Sequence, residues 1–367
     1  MSTLFITMFP MKFYNLQQSR LQVLRFVMPI VTIKSAEQSN NISEDRSMCR
    51  CTGQDQGICI SNEGGRLEFM ERSKPWDSDQ ITRDYFDSLL VEMRHIDSVI
   101  PSTKFELYGE SFDTPVMTAA LSHLNNIREN GMVEMARGAR MANAVAWAGM
   151  GDEAELEAIT ATGARTISII KPYEDNDYII KRIEHAERCG VLAVGMDVDH
   201  AFGADGRYDV VLGEKMKPKS LSEIKEFVKS TKLPFIIKGV LSEQDACKAL
   251  EAGAKGIVVS HHHGIMNYAV PPLYILPRIA KAIDHKIPIF VDCGIMSGMD
   301  VFKALALGAD AVSVGRAIME PLKKNGPEGV RDQIVRMTEE LAGVMARTCS
   351  PDLKNIDPTV ICHRNGW

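Results

Sequence analysis

The sequence lacks an apolar run of about 18 residues, a block of basic residues and a cysteine pattern typical of disulfide frameworks. The first absence argues against a membrane-spanning helix. The second argues against a nucleic-acid-binding surface, because 42 basic residues are outnumbered by 48 acidic ones and the formal net charge is −6. We therefore predict a soluble protein with a small-molecule substrate, no nucleic-acid partner and no membrane association.

The eight cysteines indicate a reducing compartment rather than secretion. Three of them lie inside apolar or helical patterns: Cys189, Cys247 and Cys293. We expect these to be reduced core thiols and the protein to be cytoplasmic. Cys49, Cys51 and Cys59 form a separate cluster, but the C-x-C-x7-C spacing lacks a clear fourth ligand. A metal or iron-sulfur site there is the open alternative, and we predict none.

The first part of the chain differs in composition from the rest. Residues 1–35 contain four basic and no acidic residues, and residues 1–65 are predicted to be a disordered or extended N-terminus with the cysteine cluster. Residues 66–110 combine helical spacing with a short strand and are predicted to form an N-terminal cap. The barrel described next is assigned to residues 111–350, and residues 351–367 are a C-terminal tail.

From Pro115 onward, short apolar runs alternate with amphipathic, helix-length segments. Eight runs are strand candidates: 115–119, 144–148, 166–170, 192–198, 234–238, 256–260, 288–292 and 311–315. Ser222, Ser242 and Ser297 are predicted to begin helices. The pattern is that of an α/β protein, a (β/α)8 TIM barrel with an N-terminal cap. A doubly wound sheet would require a G-x-G-x-x-G turn after the first strand, which is absent.

Polar residues follow the strand candidates, and the carboxyl ends of parallel barrel strands form a common site. Lys238 ends one run, and His261, His262 and His263 follow the next. Glycine turns follow the last two runs, at Asp292-Cys293-Gly294 and Gly315-Arg316. Such turns allow backbone N–H groups to approach a phosphate. A phosphate-bearing cofactor and a proton-transfer group are therefore expected.

Four motifs resemble the FMN-dependent α-hydroxy-acid dehydrogenase/oxidase family: Phe235–Val240, Ser260-x-His262, Asp300–Ala309 and Gly315-Arg316. The similarity covers roughly residues 105–345. It implies FMN as the cofactor, hydride transfer from a 2-hydroxy acid or related alcohol, and three catalytic residues: His262 as base, Asp199 as its partner and Lys238 beside the flavin. It also implies a cofactor-binding set that comprises Lys238 and seven further residues: Thr118, Ala119, Ser260, Asp292, Gly294, Gly315 and Arg316.

The substrate pocket departs from the pattern of the family. Ile265 and Met266 stand where the family has an arginine that binds the substrate carboxylate. Lys171 replaces a tyrosine, and Arg207 is the only basic residue near a second expected arginine. Either cation could bind a carboxylate. The predicted substrate-binding residues are therefore Lys171, Arg207, Ile265 and Met266, in a remodelled pocket.

Three alternatives stay open at this point. The missing arginines are compatible with a flavin-binding protein that has lost oxidase activity, or with a flavin-dependent reductase or isomerase acting on an unsaturated substrate. A metal-dependent hydrolase could use His261 and His263, which would point away from His262 on an extended strand end. Outer helices of a barrel are available for self-association, so a homo-oligomer is expected.

Overall fold

The computed structural model describes residues 75–364. The predictions for residues 1–65, including Cys49, Cys51 and Cys59, lie outside the described residues, as does the first part of the predicted cap. The strands are β1 Leu89–Val91, β2 Phe105–Leu107, β3 Glu110–Phe112, β4 Val116–Thr118, β5 Ala146–Ala148, β6 Thr166–Ile170, β7 Ala193–Asp197, β8 Val210–Val211, β9 Glu214–Lys215, β10 Phe235–Val240, β11 Gly256–Val259, β12 Ile289–Val291, β13 Ala311–Val314 and β14 Ile361–His363.

Nine α-helices accompany these strands in the described part of the chain. They are α1 Ser78–Ser88, α2 Gly131–Met141, α3 Glu153–Ala161, α4 Asn176–Arg188, α5 Leu221–Lys229, α6 Glu243–Ala252, α7 Pro272–Ile283, α8 Gly298–Ala306 and α9 Arg316–Ala346. Within the same residues, none is long and apolar enough to cross a membrane. α9 bends at Gly326, which has a φ of +60°.

Eight parallel strands form the barrel, in the order β4-β13-β12-β11-β10-β7-β6-β5. The outermost strands of this order meet where the Thr118 N–H donates to Val145 O at 3.2 Å and the Trp147 N–H donates to Thr118 Oγ1 at 3.0 Å. All eight predicted strands are confirmed, each to within two residues at either end. The (β/α)8 prediction is therefore correct.

Helix starts follow local capping chemistry. Ser242 and Ser297 cap α6 and α8 as predicted, because each hydroxyl accepts from a backbone N–H in the first turn. The prediction for Ser222 was wrong. Ser220 caps α5 instead, since Glu223 reaches back to the Ser220 N–H and completes a capping box.

The segment before the barrel contributes to both of its ends. The β2–β3 hairpin brings Phe105 and Phe112 into one apolar cluster with Trp147 and Phe290, which fill the barrel interior. Tyr108 fixes the hairpin by donating to Lys255 O, which precedes β11, at 2.7 Å. The hairpin therefore closes the amino-terminal end of the barrel, whereas α1 contacts the loops at the opposite end. The C-terminal segment returns to α1, where β14 pairs with β1.

Candidate active site

The carboxyl ends of β6, β7 and β10 bring two lysines and an aspartate together in the protein interior. Lys171 Nζ lies 2.9 Å from Asp197 Oδ2, and Lys238 Nζ lies 2.8 Å from Asp197 Oδ1. The exposed fractions of these residues are 8% for Lys171, 3% for Asp197 and 5% for Lys238. The parallel register pairs Lys238 with Asp197, so strand order alone brings these two charges together. Asp292 Oδ2 lies 3.9 Å from Lys238 Nζ.

The charges in this cluster stabilise one another. Burial lowers the pKa of Lys238, but the charges of Asp197 and Asp292 outweigh burial, and the net shift is upward. Burial raises the pKa of Asp197, yet the charges of Lys238 and Lys171 shift it well below its usual range. Opposite charges at this separation favour the ionised forms. Lys238 and Asp197 therefore stay ionised at neutral pH.

His262 is positioned next to this cluster as a proton acceptor. Its Nδ1 lies 3.0 Å from Asp199 Oδ1 and 3.4 Å from Lys238 Nζ. Because a carboxylate can only accept, Nδ1 carries the hydrogen and donates it to Asp199. Nε2 of the neutral ring then keeps its lone pair, which is the requirement for a general base. The side chain of His262 is 23% exposed, so a substrate can reach it.

Gly239 makes the approach of Asp199 possible. The register of β10 against β11 shifts between Lys238 and Val240, and Gly239 at this shift has a φ of +93°. A Cβ atom at Gly239 would lie 2.3 Å from Cγ of Asp199. Glycine is therefore required twice, for the left-handed backbone conformation and for the space occupied by the carboxylate.

His200 adds a second imidazole beside the proposed base. Its ring centroid lies 4.9 Å from that of His262. Burial lowers the pKa of His200, and the charge of Lys171 lowers it further, so the ring is neutral at pH 7. Its Nδ1 lies 3.3 Å from Asp209 Oδ2 without hydrogen-bond geometry. This atom and Asp199 Oδ2 are buried polar atoms with no hydrogen-bond partner among the described residues, which marks a place for polar groups of a ligand.

The backbone of the histidine triplet differs from the sequence prediction. We expected an extended strand end, but β11 ends at Val259, and His262 and His263 have φ values of +49° and +55°. The extended conformation was wrong because the chain turns here. The Ser260 Oγ accepts from the His262 N–H at 3.0 Å and stabilises that turn.

His261 and His263 both contact α1. His261 Nδ1 accepts from the Gly264 N–H at 2.9 Å, so its Nε2 carries the hydrogen and lies 2.8 Å from Thr82 Oγ1. His263 Nδ1 lies 2.5 Å from Asp79 Oδ2. His261 and His263 therefore point away from His262, as predicted, although a turn rather than the alternation of a strand separates them. His261 is buried and packs the loop against α1.

Arg316, predicted to bind phosphate, holds a carboxylate of α1. Its two terminal nitrogens lie 3.1 Å from the two oxygens of Asp79. Arg316 is the first residue of α9, and Gly315 before it supplies no side-chain cap. In the adjacent turn, Gly294 O accepts from the Arg83 guanidinium at 3.2 Å. α1 thus lies across the glycine turns that follow β12 and β13.

Asp292 and Cys293 lie in the turn that follows β12. The Cys293 thiol donates to Asp292 Oδ1 at 3.0 Å, and its sulfur lies 3.6 Å from Ser260 Oγ. Burial raises the pKa of the Cys293 thiol, and the charge of Asp292 raises it further. The thiol therefore stays protonated and unreactive.

Thr118 and Ala119 lie where β4 closes the barrel. Thr118 is fully buried, and its hydroxyl accepts the Trp147 N–H described above. The Ala119 N–H donates to Val314 O at 2.9 Å. Both residues have structural contacts of their own, and their contact with a flavin stays a prediction.

The four predicted substrate-binding residues lie in different surroundings. Lys171 is bound to Asp197, whereas Arg207 is 86% exposed and paired with Asp205 at 2.6 Å. Ile265 and Met266 are exposed in the loop after β11. The substrate contacts of all four residues stay predictions. Lys171 could bind a substrate only while it also contacts Asp197.

Asp197, Asp199 and His262 are close enough together to bind a metal ion. However, both oxygens of Asp197 already accept hydrogen bonds from lysines, and these two ammonium groups would repel a cation. The pair His261 and His263, considered above for a hydrolase, is engaged by α1. The geometry therefore favours proton transfer over metal chemistry.

Comparison with known protein families matches residues 77–223 and 205–363 to the family described as FMN-dependent dehydrogenase. The chain belongs to this family. Among the relatives of this chain, glycolate oxidase 3 of Arabidopsis thaliana is 30% identical over 69% of this chain and 78% of its own length. L-lactate oxidase of Lactobacillus jensenii is 28% identical, and the match covers 78% of each chain.

Solved structures show the same relationship. A mandelate oxidase variant with a monooxide FMN adduct matches this chain with a TM-score of 0.72 at 28% identity, over 79% of this chain and 92% of that one. A mandelate oxidase with 3,3-difluoro-2-hydroxy-3-phenylpropionic acid has the same TM-score and identity, over 80% and 92%. The predicted family, the oxidoreductase class and FMN as the cofactor are confirmed.

The described residues fit FMN. Lys238 and the unpartnered atoms of Asp199 and His200 would offer a positive charge and polar contacts to the ring system. Arg316 and the amino end of α9 would hold the phosphate, since both favour an anion. Sequence reasoning did not find the roles of Asp197 and Asp79. The i, i+2 spacing of Asp197 and Asp199, which in an extended chain would place both side chains on one face, was the available signal for Asp197.

Proposed function

We propose that this protein oxidises a 2-hydroxy acid or a related alcohol, with His262 as the base that removes the hydroxyl proton. The observation that carries the proposal is the hydrogen bond from His262 Nδ1 to Asp199, which leaves Nε2 available. FMN, when bound, accepts the hydride from the substrate carbon. Asp199 stabilises the imidazolium that proton removal creates. Lys238 supplies a permanent positive charge beside the cofactor.

The pocket supports an apolar substrate side chain. Phe202, Ile265, Met266 and Met296 are exposed in the loops after β7, β11 and β12, at the end of the barrel that carries His262. Apolar and thioether side chains adapt to large apolar groups. The similarity to mandelate oxidase, solved with a phenyl-bearing 2-hydroxy acid, supports the same class. We therefore propose an aromatic or long-chain 2-hydroxy acid.

The carboxylate of such a substrate has few cations available. Lys171 and Lys238 are both bound to Asp197, and Arg207 is exposed. We propose that Lys171 binds the carboxylate while Asp197 keeps its contact with Lys238. Because Lys171 would be shared, we expect weak discrimination between an acid and its amide.

A stopped-flow experiment tests the assignment of the base. The full-length protein is mixed anaerobically with mandelate, 3-phenyllactate and lactate, and flavin bleaching near 450 nm is followed. His262→Asn should slow bleaching about 10²-fold or more, because general-base catalysis is lost. His285→Asn changes an exposed histidine after α7 in the same way and should not slow it. Equal rates for the two variants would contradict the role of His262.

We also propose a cytoplasmic homo-oligomer. The cysteines of the described residues are unpaired, which supports a reducing compartment. Exposed apolar side chains at Tyr208, Val210 and Leu212, in or just before the β8–β9 hairpin, support self-association through this part of the surface. Light scattering after gel filtration tests the second point: Leu212→Lys should reduce the measured mass, and an unchanged mass would place the interface elsewhere.

A further inference from the structure

One carboxylate of α1 binds two basic side chains that belong to different loops of the barrel. Asp79 contacts Arg316 through both oxygens and His263 through Oδ2. Arg316 follows β13, and His263 follows β11, so Asp79 lies above the intervening turn at Gly294. This is the position that the fold assigns to a phosphate, between the last barrel turns and the amino end of a helix.

The chemistry of this position suits a phosphate as well as a carboxylate. The guanidinium of Arg316 presents parallel donors that match either group. The amino end of α9 favours any anion, because its first N–H groups have no partner within the helix. We propose that Asp79 occupies the phosphate position of the cofactor, that FMN binds by displacing this carboxylate from Arg316, and that His263 then becomes a further phosphate ligand.

Asp79 competes as a full negative charge. Burial raises the pKa of its carboxyl group, but the hydrogen bond with His263 and the charge of Arg316 outweigh burial and lower it. The negative charge of Asp79 is therefore not lost by protonation near neutral pH. A phosphate placed beside it would experience repulsion between like charges, so the side chain must leave before the phosphate is bound fully.

The exchange does not require α1 to detach. Thr82 contacts His261, Arg83 holds both oxygens of Asp300 at 3.1 and 3.0 Å, and Lys303 Nζ donates to Phe86 O at 2.7 Å. These contacts hold the later turns of the helix. Asp79 lies in its first turn and is partly exposed, so rotation of one side chain suffices.

The proposal rests on FMN having its phosphate at the β12 and β13 turns, and a competition experiment tests it. Riboflavin, which lacks the phosphate, is titrated into the full-length FMN-loaded protein, and released FMN is measured after separation. The ratio of the FMN and riboflavin affinities isolates the phosphate contribution. Asp79→Asn should increase this ratio about 10-fold, equivalent to about 1.4 kcal/mol. Asp79→Ala should change it in the same direction.

Asp87→Asn is the matched control, because it removes the same charge from the same helix where Asp87 pairs with Arg83 on the solvent side. It should leave the ratio unchanged. In the Asp79→Asn background, His263→Ala should lower the ratio, since only the phosphate contact is then lost. An Asp79→Asn ratio equal to or below that of Asp87→Asn would overturn the proposal. A protein that purifies without flavin and binds neither compound would instead overturn the assignment of the cofactor site.

Discussion

Replacing Asp197 with asparagine should strongly destabilise the fold. The variant keeps the shape of the side chain but removes the charge that both lysines contact. Lys238 keeps Asp292 at 3.9 Å, whereas the described structure shows Lys171 paired with Asp197 only. Leaving a buried charge without its partner costs about 3–5 kcal/mol. We therefore expect the free energy of unfolding to fall by about that amount.

The assay is urea unfolding of the full-length protein at pH 7, followed by circular dichroism. Asp205→Asn is the control, since it breaks an exposed pair with Arg207 and should leave the midpoint unchanged. Adding Lys171→Met to Asp197→Asn should recover part of the loss, because the unpaired charge is removed. A change below about 1 kcal/mol for Asp197→Asn, or no recovery in the double variant, would refute the reasoning.

The same residue predicts a pH dependence. The folded-state pKa of Asp197 lies below its ordinary value of 3.8, so its stabilising contribution is present above that value. The contribution is lost as the pH falls below 3.8 through the folded-state pKa. In acid titrations, the stability difference between wild type and Asp197→Asn should therefore shrink below pH 4, and a constant difference would contradict this account.

Two further substitutions test the site. Gly239→Ala should displace Asp199 and slow flavin reduction about 10²-fold. The control is Gly253→Ala, because Gly253 has the same left-handed conformation but an added Cβ atom would have its nearest contact at 3.5 Å; it should leave the rate unchanged. Equal slowing by both variants would contradict the steric argument. Ile265→Arg should raise kcat/KM for lactate about 10-fold or more, because the arginine would add a charged hydrogen bond to the substrate carboxylate. Met141→Arg, at a position of similar exposure on α2, should not raise it. Equal kcat/KM values for the two variants would show that the carboxylate binds elsewhere.

The sequence predicted most of the barrel, and three of the residues that it singled out, Lys238, His262 and Asp199, lie together in the structure. Buried parallel strands are continuous apolar runs, so their positions were visible without any tertiary information. Lys238 and the histidine triplet were visible because they follow such runs, and strand ends converge in a barrel. The predicted roles of His262 and Asp199 came instead from the resemblance to the family. Ser220 was missed because the nearby Ser222 gives the same local signal, and only the contact with Glu223 distinguishes them.

The contacts of α1 could not be predicted in the same way. Asp79 and Thr82 are ordinary polar residues of an amphipathic helix, and their partners Arg316 and His261 are more than 170 residues away in the chain. No local pattern reports such pairs. The left-handed conformations of His262 and His263 were missed because glycine or asparagine is the usual signal for them.

The most direct test is the absorption spectrum of the purified protein from 300 to 600 nm, before and after anaerobic addition of 2-hydroxy acids and their amides. We predict a yellow protein whose flavin bands bleach with at least one aromatic or long-chain 2-hydroxy acid. Flavin bands that persist with every compound would contradict hydroxy-acid oxidation by His262. Oxidation of the photoreduced flavin by an enone would then favour a reductase.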